Sequence, residues 1–393
     1  MQKVKICVIT ATRAEFGLIK PVIQKLVEVP EFAVKIVATG MHLSPEFGLT
    51  YKEIEECGFT VDRKIEMQLS SDSTVAVAKT MGLAMISFSD YFSEEKPDYV
   101  MISGDRYEAM AVATTAMVMR IPIIHLFGGE TTEGAIDECI RHSISKMSYL
   151  HFVTTEAYRK RVVQLGENPD RVFVVGGTGS ENVREQKLLT KDELEKQLKF
   201  SLKDKYVVVT LHSVTLENNT ADDQVKELLL ACDKHPELKY VFTKANSDAG
   251  GRIINLALEE YCKTHENARV YESLGYIRYL SAVKYCTFVL GNSSSGIMEV
   301  PSLGVPTVDI GDRERGRIRA KSVINCAPDH KSIISAMDKA LTKEFSEFCK
   351  TVDNPYAAKQ TSSEIVRIIK EHVLKENVDL KKKFYDVDFV LKD

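Results

Sequence analysis

A chain of 393 residues with 44% apolar and 27% charged residues has room for two domains, and it excludes both a disordered chain and a disulfide-stapled miniprotein. With 52 Lys plus Arg against 56 Asp plus Glu, the formal charge of -4 provides no global field for nucleic acid or an anionic membrane, so an anionic ligand has to be caught locally. Eight scattered cysteines with no C-x-x-C pair predict reduced core residues and neither a zinc site nor a disulfide framework.

In chain order, short apolar runs alternate with helical patterns, which predicts βαβ units around parallel sheets. The expected strands of the first half are 4–9, 33–38, 99–103, 122–126, 151–153 and 171–175. The first runs directly into polar Thr10-Ala11-Thr12-Arg13 with no leader-type cleavage site, and no later stretch approaches the ~20 apolar residues of a membrane span. A soluble, cytoplasmic protein is expected. The clearest helix is 73–95, where Ala78, Met81, Met85, Phe88 and Phe92 form one apolar stripe. Gly176-Gly177-Thr178-Gly179 breaks the pattern and predicts a hinge. Strands then resume at 206–211, 238–242, 288–290 and 307–310. The expected fold is α/β, two Rossmann-like doubly wound domains with a cleft between them. They span 1–178 and 179–375, with a tail at 376–393 in which Lys381-Lys382-Lys383 is solvated. The last amphipathic helix, carrying Ile365, Ile368, Ile369 and Val373, can pack on either domain.

Ligands of such sheets bind beyond the carboxyl ends of the strands, and the polar motifs stand there. Gly291-Asn292-Ser293-Ser294-Ser295-Gly296 follows a strand and opens a helix, so its amides, hydroxyls and helix dipole suit a phosphate. A Ser-rich cap without a ligand fits the same residues. Glu299, further along, has the reach for two ribose hydroxyls. Arg313, Arg315, Arg317 and Arg319 follow the next strand, and guanidinium forks suit a diphosphate. Some of the four belong to an ordinary charged loop. The turn after the first strand lacks G-x-G-x-x-G, so no NAD or FAD is expected, and no metal-ligand spacing occurs around His125 and Glu130. Asp105, Arg106, Glu130, Asp137, Glu138, Arg141 and His142 form a second cluster, in which converging carboxylates can separate one another's pKa values into an acid and a base. His212 and Asn246-Ser247-Asp248 complete the cleft edge.

Taken together, Thr12-Arg13-Ala14-Glu15, Gly40-Met41-His42-Leu43, Gly104-Asp105-Arg106, Gly128-Gly129-Glu130, Asp137, Arg141-His142, His212, Asn246-Ser247-Asp248, Gly291-Asn292-Ser293-Ser294 and Glu299 resemble the hydrolysing UDP-N-acetylglucosamine 2-epimerases, over nearly the whole chain. The resemblance implies the two-domain glycosyltransferase B fold. It also implies elimination of UDP from UDP-N-acetylglucosamine followed by hydration of a 2-acetamidoglucal to N-acetylmannosamine, for sialic-acid-type sugar synthesis, without a cofactor. It puts Asp105, Glu130 and Asp137 near the sugar, Arg13, His212, Ser293, Ser294 and Arg313 near the diphosphate, and Glu299 at the ribose. His212 joins the three carboxylates in the catalytic set, and His42, Arg106, Arg141, His142, Asn246, Asp248 and Arg317 complete the substrate-binding set. Where many relatives carry a glutamate essential to catalysis this chain has Phe127, which cannot transfer a proton, so Glu130 is assigned as the replacement. The same chemistry on UDP-N,N'-diacetylbacillosamine is the alternative substrate reading. A non-hydrolysing epimerase, a glycosyltransferase and a non-catalytic UDP-sugar sensor are the competing classes. A homo-oligomer, dimer or tetramer, is expected.

Overall fold

The computed structural model describes residues 3–375, 378–388 and 390. Among the described residues thirteen strands form two all-parallel sheets. The first has the order β3-β2-β1-β4-β5-β6-β7, built from β1 (Val4–Thr10), β2 (Phe32–Thr39), β3 (Arg63–Ile65), β4 (Tyr99–Ser103), β5 (Ile123–Leu126), β6 (Leu150–Val153) and β7 (Val172–Val174). The second has the order β10-β9-β8-β11-β12-β13, from β8 (Tyr206–Thr210), β9 (Lys239–Thr243), β10 (Ala268–Tyr271), β11 (Phe288–Gly291), β12 (Thr307–Ile310) and β13 (Val323–Cys326). The expected α/β class with two doubly wound sheets is the observed one. The central strands are legible because helices cover both faces, which demands an unbroken apolar run such as Ile6-Cys7-Val8. The three strands absent from the sequence reading, β3, β10 and β13, are short sheet edges with mixed burial, so no such run marks them. Strand order reverses between β1 and β4 and between β8 and β11, and these two switch points open a crevice at the carboxyl ends of each sheet.

Four expectations need correction. The helix runs Thr74–Glu95 with Ser73 as its N-cap, but its buried stripe is Ala76, Thr80, Ala84, Phe88 and Phe92, and Ala78 is exposed. Met81 and Met85 only flank the core. The Gly-rich break is not a free hinge: helix Thr178–Glu185 starts inside it with Thr178, Ser180, Glu181 and Asn182 buried, and the Asn182 amide donates to the Gly17 carbonyl at 2.9 Å. The tail is not simply solvated. Lys382 donates to the carbonyls of Lys146 and Ser148, both at 2.7 Å, and to the Glu167 carboxylate at 2.8 and 2.9 Å. The cysteines are free thiols, yet Cys57 and Cys139 lie on the surface.

The last helix, Thr361–Lys375, follows the second sheet in the chain but buries Ile365, Ile368, Ile369 and Val373 in the core of the first, beside Val8 and Phe16. Its first turn is tied to the crossing helix, where Ser362 donates twice to Glu181 at 2.9 Å. No helix among the described residues is long and apolar enough to cross a membrane.

Candidate active site

The two crevices face each other across one cavity of about 310 Å³, the size of a small-ligand site. At one end stand the carboxylates. Asp105 follows Gly104, whose φ of 74° turns the chain off β4. Asp137 opens helix Asp137–Met147, one turn ahead of Arg141. Arg141 is wholly buried and spends its guanidinium on Asp105, on Glu138 at 2.9 Å, on the Glu130 carbonyl at 3.0 Å and on the Thr132 hydroxyl at 2.6 Å. Burial alone would raise the Asp105 carboxyl. The adjacent guanidiniums of Arg141, Arg317 and Arg313 outweigh it and hold Asp105 below its ordinary value. Asp137 goes the other way: burial, then the charges of Asp105 and Asp248, push it up to about 7. Near neutral pH the cavity therefore holds one ionised carboxylate beside one that is poised between its protonated and ionised forms, a pairing suited to base and acid.

Glu130 lines the cavity but is not a free carboxylate. It is paired with Arg317 and accepts from the Thr154 hydroxyl at 2.9 Å. Phe127, at the place of the missing glutamate, also faces the cavity, in a left-handed conformation at φ 67°.

At the other end, Ser293, Ser294 and Ser295 line the wall with Arg313. The helix expected here is a single turn, Ser295–Met298, continued by a 3-10 turn Val300–Leu303, so hydroxyls and amides contribute more than a macrodipole. Arg313 is buried, paired with Glu314, and its Nε has no partner. The four arginines divide by direction. Arg313 and Arg317 point inward, whereas Arg315 pairs with Glu133 at 2.7 Å and Arg319 with Asp309 at 2.8 Å. Burial, reinforced by Arg313, lowers the His212 ring to about 3. Its Nδ1 accepts from the Asn246 amide at 3.3 Å, which leaves the proton of the neutral ring on Nε2 as a donor. Asn292 clamps the His212 backbone through two hydrogen bonds of 2.7 and 2.8 Å.

Glu299 is buried, raised by that burial, and accepts from the Tyr276 hydroxyl at 2.7 Å. Arg13 lines the same stretch and donates to the Glu272 carbonyl at 3.3 Å; burial lowers it to about 10, so it stays charged at neutral pH. Asn246 also faces the cavity.

Four members of the expected substrate-binding set do not line it. His42 is a buried bridge between the hydroxyls of Thr10 and Thr50, at 3.0 and 2.8 Å, with its ring lowered to about 3 by burial. His142 pairs with Glu138 at 3.0 Å. Arg141 acts behind Asp105. Asp248 is tied to Arg106 at 3.1 Å. Arg106 does reach the cavity, but its guanidinium is committed to Glu108, Asp248 and Ser247.

The ionisable cavity residues outside the expected set are Glu15, Lys244, Glu272, Tyr276, Tyr279 and Glu314. Only Glu15 left a local trace, the T-x-x-E spacing of a capping box with Thr12. Burial first, then the neighbouring Glu108, raise its carboxyl to about 8 against the pull of the Ala11 and Thr12 amides. Among the described residues no three His, Cys, Asp or Glu side chains converge as a metal site.

Two switch-point crevices, a guanidinium and hydroxyl wall and a pair of oppositely tuned carboxyls meet in one cavity between two Rossmann-like sheets, the arrangement of an enzyme. The chain belongs to the UDP-N-acetylglucosamine 2-epimerase family, whose model matches residues 24–370. It is 43% identical over 348 residues to GDP/UDP-N,N'-diacetylbacillosamine 2-epimerase (hydrolyzing) of Campylobacter jejuni, covering 88% of this chain and 90% of that protein. Polysialic acid biosynthesis protein P7 of Escherichia coli is 39% identical over 385 residues, covering 98% and 97%. The crystal structure of UDP-GlcNAc 2-epimerase from Neisseria meningitidis bound to UDP-GlcNAc superimposes with a TM-score of 0.79 at 20% identity, covering 94% of this chain and 100% of that one. The fold is thus of the glycosyltransferase B type.

Proposed function

We propose that this enzyme is a hydrolysing 2-epimerase that removes UDP from a UDP-linked 2-acetamido sugar and inverts C2. The observation that carries the reading is the pair of oppositely tuned carboxyls, Asp105 and Asp137, facing an arginine and serine wall across one cavity. Ionised Asp105 takes the C2 proton while the C1–O bond to the diphosphate breaks, giving UDP and a 2-acetamidoglucal. Ser293, Ser294, Arg313 and the His212 Nε2–H receive the charge on the leaving diphosphate, Arg13 adds positive field, and Glu299 takes the ribose hydroxyls. Water then adds at C1 and gives its second proton to solvent, the proton on Asp137 goes to C2 from the opposite face, and exchange with solvent returns Asp105 to its ionised form and Asp137 to its protonated one. Glu130 is held by Arg317 at the sugar end rather than serving as the mobile acid.

The C. jejuni relative, whose name carries N,N'-diacetylbacillosamine, favours that diacetamido sugar as substrate. UDP-N-acetylglucosamine, giving N-acetylmannosamine for sialic-acid-type synthesis, is the second reading, and the polysialic acid protein of E. coli supports that product class. Exposed Val75, Leu83 and Ile86 on one helix support a homo-oligomer, and eight thiols without a disulfide suit the cytoplasm.

Reaction in heavy water with each UDP-sugar tests the proposal. UDP and a manno-configured sugar carrying deuterium at C2 are expected. A manno product without deuterium refutes elimination through a solvent-exchanging acid, and a gluco product refutes epimerisation.

A further inference from the structure

Strand β5 carries a residue out of keeping with its neighbours. It reads Ile-Ile-His-Leu and is buried along its length, yet its third residue, His125, is a wholly buried imidazole. A polar ring kept in such a core has to find hydrogen-bond partners, a demand that leucine would not make. The partners of His125 lie on the two elements that carry the catalytic carboxyls. Nε2 meets the Gly104 carbonyl at 2.9 Å, and Nδ1 meets the Ser145 hydroxyl at 3.4 Å. A carbonyl can only accept, so the ring proton sits on Nε2, and Nδ1 accepts from Ser145. Burial lowers the ring to about 4, which keeps it neutral and in that tautomer at neutral pH. A Cβ at Gly128 would stand 3.0 Å from Nδ1 and 2.9 Å from the Ser145 hydroxyl oxygen, so the missing side chain there is what lets the chain pack on the ring.

Gly104 is where the chain turns off β4, at φ 74°, into Asp105. In a continuing parallel ladder its amide would donate to the Leu126 carbonyl and its own carbonyl would accept from the amide of residue 128. The first bond is present, at 3.1 Å, but β5 turns away at Phe127, whose amide goes to the Phe152 carbonyl of β6 at 2.7 Å. The His125 ring supplies the donor that the ladder no longer does. We propose that His125 is a positioning residue for proton transfer at C2: its Nε2–H fixes the Gly104 carbonyl and so aims the Asp105 carboxylate, while its Nδ1 ties that loop to the helix that begins at Asp137. This role rests on the epimerase reading above, in which Asp105 is the base. The ring does not line the cavity, so it acts only through the residues it holds. Arg141 grips Asp105 at the tip of its side chain, and His125 fixes the peptide plane from which that side chain departs.

The test separates the Nε2 donor from bulk and polarity. The amide nitrogen of glutamine stands about where Nε2 does, and that of asparagine about where Nδ1 does, so His125→Gln keeps the donor to Gly104, whereas His125→Asn and His125→Leu lose it. In H125N and H125L kcat is expected to fall about 100-fold, the cost of roughly a 1 Å misplacement of a reacting group. KM and the calorimetric affinity for UDP should stay near those of the parent. With substrate deuterated at C2, the isotope effect on kcat should rise in both, because a misaimed base makes proton abstraction the slow step. H125Q should recover most of the rate and the parent's isotope effect. H125N carries the comparison if H125L does not fold. Equal rates in H125N and H125Q overturn the proposal, since packing or polarity and not the placed donor would then be at work. A raised KM or weakened UDP binding with kcat unmoved overturns it as well. The crystal structure of H125N reads the same point without turnover: the Asp105 carboxylate should be displaced by roughly 1 Å, and its staying in place overturns the proposal. A parent protein inert on both UDP-sugars would refute the epimerase reading, while that carboxylate's position still decides whether His125 aims it.

Discussion

Arg141→Met tests whether the ionised carboxylate depends on one buried guanidinium. Arg141 is wholly buried and donates to Asp105, Glu138, the Glu130 carbonyl and the Thr132 hydroxyl, so methionine fills the volume and strands four acceptors. Breaking a buried ion pair by removing one partner costs about 3–5 kcal/mol. For a domain of this size that is roughly 6–20 °C in Tm. The catalytic effect has a definite sign. After burial, which raises it, Arg141 is the first influence lowering Asp105, so its loss lifts the carboxyl. A base works in its ionised form. The acid limb of kcat against pH should therefore move to higher pH in Arg141→Met. In Arg141→Lys the limb should move less, since lysine keeps the charge but cannot fork to four acceptors. UDP release followed from acid to alkaline pH, with circular dichroism melts alongside, measures both. A methionine variant that melts within about 2 °C of the parent, or whose acid limb stays in place, would refute the assignment of Arg141 as the group that ionises Asp105.

Three further outcomes are expected. Gly179→Ala puts a Cβ 2.6 Å from the Glu299 Cγ and should weaken UDP binding about tenfold, roughly 1.4 kcal/mol, by calorimetric titration; unchanged affinity would remove Glu299 from the nucleotide end. Burial raises the Glu167 carboxyl, but His151, Lys146 and Lys382 hold it at about 2, against an ordinary 4.5, which amounts to about 3 kcal/mol. A depressed carboxyl stabilises the fold fully above its unfolded value and loses that contribution as pH falls through the folded one, so the urea midpoints of the parent and Glu167→Gln should converge between about pH 5 and pH 2. A gap that persists at the acid end would contradict it. Turnover should survive excess chelator, and inactivation by EDTA reversed by a divalent ion would show a metal requirement.

The central strands, the cleft at their carboxyl ends and the order of the motifs were legible in the amino-acid sequence, because a strand buried on both faces must be apolar along its whole length and its polar loop must follow. Asp105 after β4, His212 after β8 and Ser293 after β11 could be placed in this way. The edge strands β3, β10 and β13 could not, since half-exposed edges of three or four residues carry no periodicity. Nor could the destination of the crossing segment at Gly176, whose glycines read as a hinge although the helix that starts among them is bound to the first helix through Asn182 and to the last through Glu181. The division of labour among the charged residues was decided by tertiary structure alone. Arg141 meets Asp105 across 36 positions, Arg106 meets Asp248 across 142, and Arg317 meets Glu130 across 187. Which carboxyl keeps its proton follows from burial and from such distant partners, and neither quantity exists until both sheets have closed on one cavity.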